Sequence, residues 1–284
     1  MKLDGQVAVI TGANSGIGRV TANELAEDGA HVILACRSQE GAQAVIDEIE
    51  AKGGSAEYVH LDLNSIAAVR ESAKEIRARA PKIDLLINNA GIAGTKGLSH
   101  DGFEVMYGVN HLGHFALTEG VLASLQAADS PRVVTVASTL HHKVEEFDFK
   151  TLREESADTG AMKGYGRAKL ANVMFAKELG RRYPEITSYS VHPGTVETGI
   201  YRGVPAFIRP ALFAYLRHFT PNGLVTAQEG AQTTLHAARC DASTAPNGTY
   251  FDKSKPSEAS EVARDPEIGS LLWDLSAKQV EQIA

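Results

Sequence analysis

The chain has 284 residues, 43% of them hydrophobic, and a net charge of −7, enough apolar material for one large core and no basic excess for a nucleic-acid partner. Its two cysteines, Cys36 and Cys240, make neither a disulfide framework nor a metal cluster. No apolar stretch is long enough to span a bilayer and no N-terminal signal pattern is present, so a cytoplasmic location is expected.

Strand-like and helix-like runs alternate along the chain. The apolar run Val7–Ile10 reads as a buried parallel strand, and Val20–Ala26 as a helix. Between them lies Thr11-Gly12-Ala13-Asn14-Ser15-Gly16-Ile17-Gly18. A glycine turn between a strand and a helix suits a pyrophosphate: glycine allows close backbone approach, and the helix start offers free N–H groups. Further strands are expected at His31–Cys36, Ala56–His60, Leu85–Asn88, Arg132–Ala137, Thr187–His192 and Gly248–Phe251. Helices are expected at Gln39–Lys52, from a cap at Asn64 or Ser65 to about Ala80, from about Gly102 to Leu125, at Tyr165–Tyr183, at Thr226–Ala238 and near Leu271–Ile283. This alternation predicts an α/β fold, a single doubly wound Rossmann-type domain with a mostly parallel seven-stranded sheet covered on both faces.

Ligands on such sheets sit beyond the C-terminal strand ends, so the residues just past each strand carry the information. After the second strand comes Arg37, with no carboxylate to receive a ribose 2′-hydroxyl. A guanidinium pairs with a 2′-phosphate, which favours NADP(H) over NAD, and Arg19 adds positive charge; a solvated loop cation is the other reading of Arg37. Asp62, followed by Leu63, suits an adenine amino group or a helix N-terminus. Asn88-Asn89-Ala90-Gly91 closes the fourth strand, and Asn110 lies inside the next helical region, where an amide must find partners, hold a water or prop a neighbour through a helix irregularity. His111 and His114 read as surface or internally satisfied histidines.

Ser138 follows the fifth strand, and Tyr165 and Lys169 share a helix face at i and i+4. A phenol with a pKa of about 10 is a poor proton shuttle at neutral pH. A neighbouring ammonium favours the phenolate and makes it a better one. Ser138 then hydrogen-bonds the same substrate oxygen, and Lys169 also reaches the nicotinamide ribose.

Taken in order, these motifs resemble the short-chain dehydrogenase/reductase family along nearly the whole chain. The resemblance implies a catalytic set of Asn110, Ser138, Tyr165 and Lys169. It implies cofactor contacts from Gly12, Asn14, Ser15, Gly16, Ile17, Gly18, Arg37, Asp62, Leu63, Asn89, Ala90, Gly91, Tyr165, Lys169, Pro193, Gly194, Val196 and Thr198. The stretches Ala35–Ser38, Val109–Phe115 and Ser138–His142 are similar to the retinol dehydrogenase branch, which includes WW-domain oxidoreductases and protochlorophyllide reductases. The expected activity is NADP(H)-dependent hydride transfer between nicotinamide and the carbonyl or alcohol group of a bulky apolar small molecule. Alternatives are reduction of a C=C bond and a non-catalytic NADP(H)-binding regulator.

Two long connections flank this group. Residues 143–162 form an acidic, glycine-containing insertion. Residues 195–221 carry Ile200, Tyr201, Phe207, Phe213, Tyr215 and Phe219. The second reads as a lid over a greasy substrate, a small helix on its own domain, or a membrane-touching element. The tail at 252–284 reads as a cover over the substrate side or a subunit contact in a homodimer or homotetramer. No metal site is expected.

Overall fold

The computed structural model describes residues 3–154, 161–196 and 223–283. The parallel strands β1 (Val7–Thr11), β2 (His31–Cys36), β3 (Ser55–His60), β4 (Leu85–Asn88), β5 (Arg132–Val136), β6 (Thr187–His192) and β7 (Tyr250–Asp252) lie in one sheet with β8 (Lys255–Ser257). The order is β3-β2-β1-β4-β5-β6-β7-β8, and β8 alone runs antiparallel to its neighbour. The expected seven strands are therefore joined by an eighth. Lys255–Ser257 is exposed throughout and turns back through Lys253 and Ser254, both at positive φ. A two-residue hairpin of this kind normally carries Asn-Gly or Asp-Gly, so the sequence offered no signal.

Successive strand residues point into two different cores. Val9, Ile33, Leu86 and Val133 face one; Ile10, Leu34, Ile87 and Val134 face the other, and all eight are fully buried. That is why these strands read as continuous apolar runs rather than as alternating ones. Helices α1 (Gly16–Glu27) and α2 (Gln39–Ala51) cover one face. Helix α3 (Ile66–Arg79) covers the other, and the segment after β4 continues it.

That segment is the helical region expected from about Gly102 to Leu125, in several pieces. It is α4 (Val105–Tyr107), a π turn at Gly108–Leu112, α5 (Gly113–Gly120) and α6 (Leu122–Gln126). Asn110 sits inside the π turn, the irregularity its buried amide calls for. Four α-helices follow the fifth strand among the described residues. Helix α7 (Ala161–Arg182) lies over the α3 face, α8 (Ala227–Arg239) over the α1 face, and the short α9 (Glu261–Arg264) leads into α10 (Pro266–Glu281).

Local chemistry sets the helix ends. Ser65, rather than Asn64, caps α3 by accepting from Ala68 N at 3.4 Å. Thr226 and Glu229 form a reciprocal capping box at α8, and Asp265 caps α10 ahead of Pro266. Helix α10 folds back over α5 and α7 and packs one face, with Leu272, Trp273, Ser276 and Val280, into the core. Trp273 stacks on Phe175 at 5.6 Å and meets Phe115 edge-on at 4.9 Å.

The sheet changes winding direction between β1 and β4, which opens a crevice at their C-terminal ends. All the candidate site residues within the described segments lie around those ends.

Candidate active site

Thr11 ends β1 and ties the crevice together. Its Oγ1 accepts the backbone N–H groups of Asn89 and Ala90, each at 2.9 Å, and the Asn89 side chain donates back to the Thr11 carbonyl at 2.8 Å. The glycine turn packs against this knot. A Cβ on Gly18 would lie 2.4 Å from the Gly12 carbonyl oxygen and 2.5 Å from Asn89 Nδ2, so only glycine fits. Gly16 holds φ at 55°, and Ile17 packs half-buried against the core on the α1 face. Ser15 occupies the N-cap of α1 without a side-chain cap bond, unlike the serines ahead of α2 and α3. Its hydroxyl and the N–H groups beside it are donors of the kind that can hold phosphate oxygens. Asn14 lies against Gly41, at the start of α2.

Arg37 is exposed immediately beyond β2. Arg19 behaves differently from expectation. Its Nε donates to Glu48 at 3.0 Å, and a second contact joins the same carboxylate, so its charge is already paired. Cys36 is buried, its thiol pushed up to about 11 by desolvation, which makes it a packing residue. Asp62 accepts the Asn64 N–H at 3.1 Å and shapes the turn before α3, while Leu63 is buried against Gly113.

Gly91 forms the floor where the crevice meets the candidate catalytic group. A Cβ there would lie 3.3 Å from Asn110 Oδ1 and 3.6 Å from Lys169 Nζ. The Asn110 side chain is clamped at both ends by Ile92, accepting its N–H at 2.8 Å and donating to its carbonyl at 2.9 Å. His114 secures the backbone of the π turn. With both Thr11 Oγ1 lone pairs occupied by backbone N–H groups, the hydroxyl donates to His114 Nε2 at 2.9 Å. The ring then donates from Nδ1 to the Asn110 carbonyl at 2.9 Å. His114 is buried and held neutral, its pKa pushed down to about 4 by desolvation. His111 meets Ser276 of α10 at 3.0 Å. Both histidines are satisfied internal residues, one of the two readings the sequence allowed.

Ser138 follows β5 with its Oγ accepting the Leu140 N–H at 3.3 Å, which leaves its own hydrogen free to donate. Helix α7 comes close to this turn: a Cβ on Gly166 would lie 3.1 Å from the Leu140 carbonyl oxygen. Tyr165 and Lys169 share one face of α7, with the lysine Nζ 5.6 Å from the centre of the tyrosine ring. Lys169 is 1% exposed and donates to the Val136 carbonyl at 2.8 Å. Burial pushes its ammonium down from 10.5 to about 7. The sequence suggested a standing cation. The structure buries this lysine, and desolvation weakens its hold on its proton.

Beyond β6, Pro193 and Gly194 turn the chain, and a Cβ on Gly194 would press to 3.0 Å on Val225. Val196 is buried and bridges to Val225. Thr198, residues 155–160 of the insertion and residues 197–221 of the expected lid lie outside the described residues. Among the described residues no group of three His, Cys, Asp or Glu is placed to hold a metal. None of the described helices is long and apolar enough to cross a membrane.

A parallel sheet with a glycine cradle at its switch point, and a Ser, Tyr and Lys group beside it, defines a nucleotide-dependent oxidoreductase. The family model for short chain dehydrogenases matches residues 6–148, and the chain belongs to the short-chain dehydrogenase/reductase family, in its retinol dehydrogenase branch. It is 39% identical to dehydrogenase/reductase SDR family member 13 of Homo sapiens, over 97% of this chain and 73% of that one. It is 38% identical to retinol dehydrogenase 11 of Homo sapiens, over 97% of this chain and 86% of that one. Among solved structures, a Beutenbergia cavernae protein described as an NAD(P) dependent gluconate 5-dehydrogenase, with NADP bound at low occupancy, superposes with a TM-score of 0.70. It is 28% identical, and the match covers 89% of this chain and 96% of that one.

Proposed function

We propose that the chain is an NADP(H)-dependent carbonyl reductase/alcohol dehydrogenase acting on a bulky apolar substrate. The observation that carries this reading is the meeting of Gly91, Asn110 and Lys169 at the crevice floor, with Tyr165 on the lysine's own helix face.

Gly12, Asn14, Ser15, Gly16, Ile17 and Gly18 hold the pyrophosphate side of the cofactor, and Asp62 and Leu63 border the adenine. Asn89, Ala90 and Gly91 leave room for its length. Pro193, Gly194 and Val196 flank the carboxamide. The exposed Arg37 pairs with the 2′-phosphate, since no carboxylate follows β2 to receive a free hydroxyl there. When bound, the nicotinamide supplies or accepts the hydride.

The protein's own groups handle the oxygen. Ser138 donates its free hydroxyl hydrogen to the substrate oxygen and fixes its position. Tyr165 gives that oxygen a proton in reduction and takes one in oxidation. Lys169 holds the phenolate's counter-charge and, with its weakly held proton, restores the phenol. Asn110 supports the lysine through a bridging water.

Support for an apolar substrate comes from the aromatic content of residues 195–221 and from the name of the retinol dehydrogenase relative. The test is a panel of all-trans-retinal, decanal and small hydrophilic aldehydes with NADPH and NADH, with product analysis. Alcohol formed from the apolar aldehydes with NADPH supports the reading. A saturated C=C bond identifies the alternative chemistry, and tight NADPH binding with no oxidation across the panel identifies a binding protein.

A further inference from the structure

His141 stands three residues beyond Ser138, in the 3-10 turn Thr139–Lys143, and is fully buried. Its Nδ1 lies 2.6 Å from the Ser138 carbonyl oxygen. Its Nε2 lies 3.2 Å from the backbone nitrogen of Ser260, which caps α9. A backbone N–H can only donate, so Nε2 is the acceptor and Nδ1 carries the hydrogen. Both ring nitrogens are thus committed, one to the chain at Ser138 and the other to the C-terminal segment. The ring faces are committed too, to His142 at 3.9 Å and edge-on to Tyr250 at 4.9 Å.

The serine backbone depends on this contact. The Ser138 carbonyl accepts twice from His141, from its ring at 2.6 Å and from its backbone N–H at 3.1 Å. Among the described residues, the Ser138 side chain itself is held by the long 3.3 Å bond from Leu140. The position of Oγ follows from where the backbone of Ser138 is held, and the ring of His141 is the nearer of the two donors on its carbonyl.

We propose that His141 is a positioning residue for Ser138: as the neutral Nδ1–H tautomer it clamps the serine carbonyl and, through Ser260, makes the C-terminal segment part of the support for the active hydroxyl. This rests on the reading of Ser138 as the group that holds the substrate oxygen. The same logic links two distant parts of the sequence, since removal of the Ser260 contact frees the tautomer that the clamp requires.

Two arms test it on the full chain. In the first, imidazole nitrogens are labelled with 15N, and the His141 signals are assigned by their loss in His141→Asn. A neutral ring with hydrogen on Nδ1 at pH 7 is expected; hydrogen on Nε2, or a charged ring, overturns the proposal. In the second arm, turnover of all-trans-retinal with NADPH is measured for two variants. His141→Phe keeps the ring packing and loses both hydrogen bonds. His141→Asn leaves a hole but places an amide donor at the Nδ1 position.

Loss of the clamp is expected to lower kcat about 10- to 100-fold in the Phe variant, as for a misplaced reacting group, with KM and NADPH affinity changed less than threefold. The Asn variant is expected to recover most of kcat despite the lower melting temperature of the two. Rates that follow melting temperature, with Phe the faster, overturn the proposal. If the wild-type protein reduces no aldehyde of the panel, the functional reading has failed, and the tautomer arm still decides the clamp.

Discussion

Replacing Lys169 by methionine is expected to stabilise the fold while abolishing turnover. The ammonium is buried with its ordinary 10.5 pushed down to about 7 by desolvation. That gap corresponds to roughly 5 kcal/mol against the protonated form. The bond to the Val136 carbonyl is lost in the variant, at a cost of about 1 kcal/mol. That carbonyl is not orphaned, because Asn172 Nδ2 also donates to it at 3.1 Å. Methionine fills a similar volume, so no cavity term is added. The variant therefore gains roughly 4 kcal/mol at pH 6 and roughly 3 kcal/mol at pH 7.

The pH dependence gives the sharper test. The folded pKa lies below the unfolded one, so the folded state releases its proton first. The penalty is complete below about pH 7 and disappears as pH rises towards 10.5. Urea unfolding of the cofactor-free proteins between pH 6 and pH 10, read as wild type against variant at a common m-value, isolates the lysine from all other titrating groups. The difference should shrink steadily above pH 7. A difference that is flat with pH, or a variant less stable at every pH, refutes the reasoning.

Arg37→Asp is expected to weaken NADPH binding about 10- to 100-fold through loss of a charge-assisted pair, with NADH binding unchanged or tighter; equal NADPH affinity in a fluorescence titration places the 2′-phosphate elsewhere. Gly18→Ala drives a methyl onto the Gly12 carbonyl and Asn89, costing about 1–3 kcal/mol. It should lower NADPH affinity at least tenfold by the same titration. Trp273→Ala removes the aromatic seat of α10 on Phe115 and Phe175 and should cost about 3–5 kcal/mol in denaturant unfolding, and a loss under 1 kcal/mol would mean that α10 is not part of the cooperative core.

The parallel sheet was legible because its strands are buried on both faces. Ile33 and Leu34 point to opposite cores and are both apolar. The glycine turn was legible because Gly12, Gly16 and Gly18 fall between a strand and a helix. Order along the chain brought Asn110, Ser138, Tyr165 and Lys169 together, and the structure places Asn110 and Lys169 against one glycine.

Other features had no one-dimensional signal. The hairpin that adds β8 uses Lys253 and Ser254 at positive φ, residue types that do not advertise such a turn. The Arg19–Glu48 pair joins two helices 29 residues apart, so Arg19 read as free positive charge. The burial of Lys169 depends on how α7 meets the end of β5, and only the folded chain shows that its proton is weakly held. His114 and His141 each bind a backbone carbonyl of a candidate catalytic residue, and nothing in their spacing distinguishes such histidines from surface ones.

Single-turnover oxidation of bound NADPH by an aldehyde that the wild-type protein reduces, compared in wild type and Tyr165→Phe, tests the proton-donor role most directly. NADPH should bind within threefold of wild type, while its oxidation slows about 100- to 10,000-fold, the contribution of a positioned acid. Oxidation within tenfold of wild type would mean that another group delivers the proton to the substrate oxygen.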